Sequence, residues 1–178
     1  MIRRVFVRMC LWAALVSLGC AAKQIPPPDW IFEKDAIHLH FKADKRRNEE
    51  IPVPPMLLMC IYQLKEPNRF NQLSGDLQGI YRLLECDQFD DSVASVKHLI
   101  INPEQDVDLI LNRAVGARYV GLAAGYYLLE KERMIRLVQI PVIIEEEGFF
   151  RRTKLLKPKH LQLEVTLGPN QIRLVKKR

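Results

Sequence analysis

The chain has 178 residues, 27 of them basic and 21 acidic, for a net charge of +6 with the histidines neutral. Removing residues 1–19 would take away three arginines and no acid, leaving a balance near +3, too weak to argue for a nucleic-acid partner. The roughly 160 residues that remain suffice for one domain that buries its own core without staples.

The N-terminal stretch MIRRVFVRMCLWAALVSLGC carries Arg3, Arg4 and Arg8, then an apolar run from Met9 to Leu18. That order is the layout of an export signal. A spanning helix needs about 20 apolar residues, and here Arg8 on one side and Lys23 on the other cut the run short. The residues LGC followed by Ala21-Ala22 resemble a bacterial lipobox, in which the cysteine thiol receives a diacylglycerol and becomes the mature N-terminus. Ser17 departs from that pattern, which usually has Leu, Val or Ile three places before the cysteine; plain cleavage near Ala21-Ala22-Lys23 is the other reading. Ala21 is not the aspartate of an inner-membrane retention signal, so the outer membrane is the expected destination. The expected division is a signal peptide at 1–19, a lipidated Cys20 with a tether over 20–35, and a folded domain over 36–178. Within the tether, Pro26, Pro27 and Pro28 favour extended, semi-rigid polyproline II.

Cys10 leaves with the signal and Cys20 is taken by the lipid, so Cys60 and Cys86 remain. They could pair in an oxidising periplasm. Equally, Cys60 lies mid-way through an apolar run, where cysteine is commonly a small buried hydrophobe. Sequence supplies no distance to decide between these readings.

From residue 36 the period is two. In AIHLHFKA, Ile37, Leu39 and Phe41 point one way and His38, His40 and Lys42 the other, predicting a half-buried strand. DKRRNEE (44–50) has six charges in seven residues, and the following IPVPP forbids regular pairing. Residues 43–55 are therefore expected to form a long exposed loop, and such loops are more often functional than idle. MLLMCIYQL (56–64) is apolar on both faces and reads as a central strand. Phe70, Leu73, Leu77, Ile80, Tyr81 and Leu84 then fall at helical spacing, a helical insertion over about 68–85. Gly75 and Gly79 leave open whether it is one helix or two meeting near Ser74-Gly75.

Strands return at Val96–Ile101, Asp106–Leu111, Ala117–Tyr127 and Met134–Val142. The small residues Gly121, Ala123 and Gly125 on one face predict close approach of another element, the helix above all. EEEGFFRRTKLLKPK (145–159) reads as a charged connection. HLQLEVTLGPNQIRLV closes as a hairpin with Leu161, Leu163, Val165 and Leu167 inward and a turn at GPN. About seven strands and a helical insertion predict two packed antiparallel sheets, a β-sandwich.

Catalytic patterns are missing: no G-x-S-x-G, no phosphate loop, no acid pair placed to straddle a substrate. His38 and His40 share a strand face, the beginning of a metal site, yet His98 and His160 lie on other strands and no carboxylate spacing completes a set. No metal and no other cofactor is expected. The basic stretches RRTKLLKPK and KKR could attract anionic headgroups, although a solubilising surface explains them as well.

Taken in order, four stretches resemble the outer-membrane lipoprotein of type VI secretion, the TssJ family. They are LGC at 18–20, PMLLMCIYQLKEPNRFNQL at 55–73, HLIINPEQ at 98–105, and ARYVGLAAGYY at 117–127. Glu104 stands where that family often has glycine after the proline, and the part around FFRRTKLLKPKH matches no family motif. The resemblance implies a transthyretin-like two-sheet antiparallel β-sandwich with a short helical insertion. It implies a non-enzymatic lipoprotein held at the periplasmic face of the outer membrane. Its partner would be the periplasmic C-terminal region of a TssM-like inner-membrane protein, with a TssL-like protein in the same complex. The implied contacts lie in the loop between the first two strands, here Asp44, Lys45, Arg46, Arg47, Asn48, Glu49 and Glu50.

Two other readings compete. One is a different periplasmic lipoprotein, such as a pilotin or an envelope-assembly factor. The other is a hydrolase on a transthyretin-like scaffold; such enzymes end in Tyr-Arg-Gly-Ser, whereas this sequence ends in LVKKR. If Cys20 is the lipid site, cells given radiolabelled palmitate should label the wild-type protein and leave Cys20→Ser unlabelled.

Overall fold

The computed structural model describes residues 25–44, 56–126, 130–148 and 153–177. Ten strands and three short helices are formed among them. The first sheet has the order β10-β9-β1-β4, from β1 (Glu33–Ala43), β4 (Asp106–Arg113), β9 (Leu161–Leu167) and β10 (Ile172–Lys177). The second has the order β3-β2-β5-β6, from β2 (Leu57–Leu64), β3 (Val93–Ile101), β5 (Tyr119–Ala124) and β6 (Ile135–Gln139).

The alternation in β1 sets the inner face of the first sheet. Ile37, Leu39 and Phe41 are fully buried, as are Leu161, Leu163 and Val165 of β9. β1 pairs antiparallel with β4 and parallel with β9, Ile37 facing Leu161 and Ala43 facing Leu167. That parallel pair differs from the expected all-antiparallel pairing. A parallel neighbour needs a crossover, and here almost the whole chain lies between the two strands.

In the second sheet β2 is central, and its two faces have different neighbours. Gln63 points at the first sheet: its Nε2 donates to the Asn112 carbonyl at 2.9 Å, and the Ala114 amide donates to its Oε1 at 2.8 Å. A buried amide satisfied at both ends bridges the sheets without an unpaired polar atom. Tyr62 points outward, its hydroxyl donating to the Leu83 carbonyl at 2.7 Å. Burial is the main cause that pushes this phenol well above its ordinary pKa, because the anion would lose its solvation.

The helical insertion is two helices, α1 (Asn68–Leu73) and α2 (Leu77–Leu84). Asp76 separates them, its side chain accepting the Gly79 amide at 2.8 Å as an N-cap. They pack on the outer face of the second sheet, and the small-residue row of β5 makes room. A Cβ on Gly121 would lie 2.7 Å from the Phe70 ring, so only glycine lets α1 sit this low.

Cys60 and Cys86 form a disulfide, with Cα atoms 5.2 Å apart. It joins β2 to the residue just beyond α2 and pins the helices to the sheet. Cys60 is thus both fully buried and paired, which merges the two readings the sequence left open.

The stretch read as a charged connection is a hairpin, β7 (Val142–Glu147) with β8 (Thr153–Pro158). Both strands form a separate two-stranded sheet. Lys157 pairs with Glu145 at 2.8 Å and also with Glu147. These cross-strand partners hold its ammonium above the usual lysine range, the hydrogen bond that Lys157 donates to Glu145 first. The run of like charge disguised the strand, since its neutralising cation lies on the opposite strand.

The disulfide closes a loop with a sequence separation of 26, for which the loop-entropy account gives about 3.5 kcal/mol. The Cys60→Ala/Cys86→Ala double variant should lose about that much in urea unfolding, and reductant should bring the wild type to the same midpoint.

Candidate partner-docking site

The direction of β1 divides the molecule into two poles. The chain enters β1 at Glu33 and leaves it at Ala43, 11 residues that span about 35 Å at ~3.3 Å each. One pole receives the tether and the other launches the loop to β2.

At the tether pole the entering chain is clamped. The Gly116 amide donates to the Trp30 carbonyl at 2.7 Å, and Arg113 Nη2 donates to the Ile31 carbonyl at 3.3 Å. The Arg113 side chain is 2% exposed, pairs with Glu33 at 2.8 Å and lies 5.7 Å from the Trp30 ring centroid. Glu33 also meets His160 Nε2 at 2.9 Å. A buried guanidinium needs such partners: Arg113 ties the entering chain to β1, and Glu33 carries the link on to His160 at the start of β9.

The opposite pole gathers the β1–β2 connection, the β3–β4 turn, the β9–β10 turn and the end of β5. Register places them there: Lys42 faces Asp106, Ala43 faces Leu167, Leu57 faces Ile101 and Met59 faces Ala124. Asp44 is the first residue of the predicted contact loop, and its position is fixed. Its amide donates to the Leu167 carbonyl at 2.9 Å, and its carboxylate pairs with Arg173 at 2.5 Å. Lys45, Arg46, Arg47, Asn48, Glu49 and Glu50 lie outside the described residues, as does Cys20. Met56, where β2 is about to begin, is 66% exposed.

Neighbouring groups on this pole are polar. His40 offers Nδ1 to Asp108 at 2.8 Å and Nε2 to Asp106 at 3.1 Å. Those aspartates are 66 and 68 positions downstream and come together with His40 only through the β1–β4 register, so no local spacing could have found them. Both ring nitrogens face carboxylates, which leaves neither pointing at an open position. The other histidines are dispersed: His38 bonds the Asp35 carbonyl at 2.8 Å, His160 is at the far pole, and His98 is exposed on the second sheet. Among the described residues no group of three or more potential metal ligands assembles.

The β3–β4 turn completes the pole. Asn102 and Gln105 close it: the Asn102 amide donates to Gln105 Oε1 at 2.8 Å, and the Gln105 amide donates to the Asn102 carbonyl at 3.2 Å. Glu104 between them has φ +61°, the left-handed region that favours glycine. Glycine's place after proline in the resembled family thus has a conformational reason.

A protein-family model described as type VI secretion lipoprotein, VasD, EvfM and TssJ matches residues 35–170. The chain belongs to that family. None of the curated proteins is similar enough to match. Among solved structures, TssJ1 of Pseudomonas aeruginosa superposes with a TM-score of 0.53 at 17% identity, over 85% of this chain and 98% of that one. Lip of Serratia marcescens, a membrane-bound component of the type VI secretion system, gives 0.55 at 18% identity over 80% and 96%. A structure described as the TssM C-terminal domain from EAEC gives 0.54 at 17% identity, also over 80% and 96%. At these identities the likeness is one of fold. The two-sheet sandwich and its helical insertion are therefore the family's architecture.

Relaxing the left-handed turn tests the reading of Glu104. Glu104→Gly should match or slightly exceed wild-type stability, whereas Glu104→Val should lose about 1–2 kcal/mol in chemical unfolding.

Proposed function

We propose that this lipoprotein is a non-enzymatic connector of the type VI secretion membrane complex. Acylated at Cys20, it is held at the periplasmic face of the outer membrane. Through the loop that starts at Asp44 it binds the periplasmic C-terminal region of a TssM-like inner-membrane protein, which shares the complex with a TssL-like protein. Membership of the type VI secretion lipoprotein family supports this reading first.

The observation that carries the assignment of the loop is the opposition of the poles. A connector between two membranes must present its anchor and its partner surface in opposite directions, and β1 has the tether at one end and Asp44 at the other. From Cys20 to Trp30 the chain can reach about 30 Å as polyproline II at ~3.1 Å per residue. The body therefore stays near the bilayer while its far pole faces the periplasmic space. The Cys60–Cys86 disulfide suits an oxidising compartment.

Chemically, the loop is a mixed-sign rim of Asp44, Lys45, Arg46, Arg47, Glu49 and Glu50, with Asn48 between. Such a surface gives specificity and fast, salt-sensitive association more than bulk affinity. The Asp44–Arg173 pair gives the loop a fixed starting point on the β-sheet.

Deleting Asp44–Glu50 should abolish binding to the purified periplasmic domain of the TssM-like partner while circular dichroism and the unfolding midpoint stay near wild type. Unchanged affinity in titration calorimetry would remove the loop from the interface.

A further inference from the structure

The tether pole has more chemistry than a clamp needs. Three large apolar side chains are exposed on it: Ile31 at 58%, Phe32 at 56% and Val115 at 65%. Single exposed apolar residues are ordinary. Here they share the pole with an open cavity of about 530 Å³, whose lining includes Lys65, Arg69 and Arg118 together with Glu66, Asp91 and Gly116. Continuity is direct, since Gly116 bonds the Trp30 carbonyl at 2.7 Å and the Arg118 amide bonds the Leu64 carbonyl at 2.8 Å.

Two of the cavity's cations hydrogen-bond neutral acceptors. Lys65 Nζ donates to the Asp91 backbone carbonyl at 2.9 Å, and Arg69 Nη1 donates to Gln72 at 2.7 Å. Among the described residues, none of Lys65, Arg69 and Arg118 has a carboxylate at ion-pair distance, although Glu66 and Asp91 are also lining residues. Three basic residues lining one cavity on the same pole as exposed apolar side chains form a combination suited to a lipid–water interface. Apolar groups enter the acyl boundary there while cations stay at the level of the phosphates.

We propose that this pole is a second membrane contact: the cavity takes the phosphate of a phospholipid headgroup on Lys65, Arg69 and Arg118, and Ile31, Phe32 and Val115 dip into the same leaflet. The inference rests on the acyl anchor at Cys20, which confines the pole to the neighbourhood of the bilayer. The bilayer is the occupant because the tether leaves from this pole and is short. Glu66 and Asp91 hold the cavity to a net charge of +1, so it is not a general trap for anions, and the tether's high local lipid concentration is what makes it effective. Contact at two points fixes the body's tilt and directs the Asp44 pole away from the membrane.

A built-in reporter exists. The sequence has two tryptophans, Trp12 and Trp30, and only Trp30 survives removal of residues 1–19. The acylated protein is reconstituted into vesicles of phosphatidylethanolamine and phosphatidylglycerol with brominated or unbrominated chains. Bromine should quench Trp30 emission by about twofold or more, as expected for an interface contact about 5–10 Å deep. Lys65→Ala/Arg69→Ala/Arg118→Ala and, separately, Val115→Asp should restore most of the emission, with circular dichroism verifying that both variants are folded. Acylated protein with equal emission in both kinds of vesicle overturns the proposal. So do folded variants quenched like the wild type, including any that instead lose affinity for the TssM-like domain and so mark a protein interface. Acylation is read separately, from the mass of the N-terminal peptide. If Cys20 proves bare, the anchor reading fails, and coupling its thiol to a maleimide lipid lets the same quenching measurement decide whether the pole touches the bilayer.

Discussion

β1 is hydrogen-bonded on both sides, to β4 and to β9, and this double pairing fixes the rest of the molecule. A strand held by two neighbours cannot slip by one residue without turning Ile37, Leu39 and Phe41 from the core to solvent. Its register in turn sets where the chain enters and where it leaves. The tether and the connection to β2 are therefore placed at opposite ends by a covalent constraint, not by a balance of weak surface contacts. Arg113 reinforces one end, because a guanidinium this buried must keep Glu33 and the Ile31 carbonyl close or remain uncompensated.

The second sheet solves a different problem. Its inner face packs on the first sheet through Met59, Ile61 and the satisfied amide of Gln63, while its outer face must be covered by something small. Two short helices serve, and they can approach because β5 has glycine where the Phe70 ring lands. Neither helix is long enough to be stable alone. Their order comes from the sheet beneath, from the Asp76 cap between them and from the bond between Cys60 and Cys86. The family motifs acquire physical meaning here: in Tyr62-Gln63 one side chain serves the helices and the next serves the facing sheet.

The two poles differ in how their charges are used. Near Asp44 most ionisable groups are engaged, His40 with two aspartates and Asp44 with Arg173. Around the tether, Arg113, Glu33 and His160 are engaged too, but Lys65, Arg69 and Arg118 line an open cavity on the same pole as exposed apolar side chains. The scaffold supplies rigidity in its middle and distinct chemistry at its ends.

Much of this was legible in the chain because alternation is a local property. The inward rows of β1 and β9, the apolar β2, the helical spacing from Phe70 to Leu84 and the small-residue face of β5 all follow from periods of two and 3.6. The charged loop after Ala43 was legible for the same reason: six charges in seven residues cannot be core. What the sequence could not contain was partnership between distant segments. The parallel pairing of β1 with β9, the meeting of Cys60 with Cys86, the two aspartates on His40 and the hairpin hidden in a run of glutamates all depend on which strand lies beside which. So does the opposition of tether and loop, since a strand's direction is written in the chain but its neighbours are chosen only when the core closes.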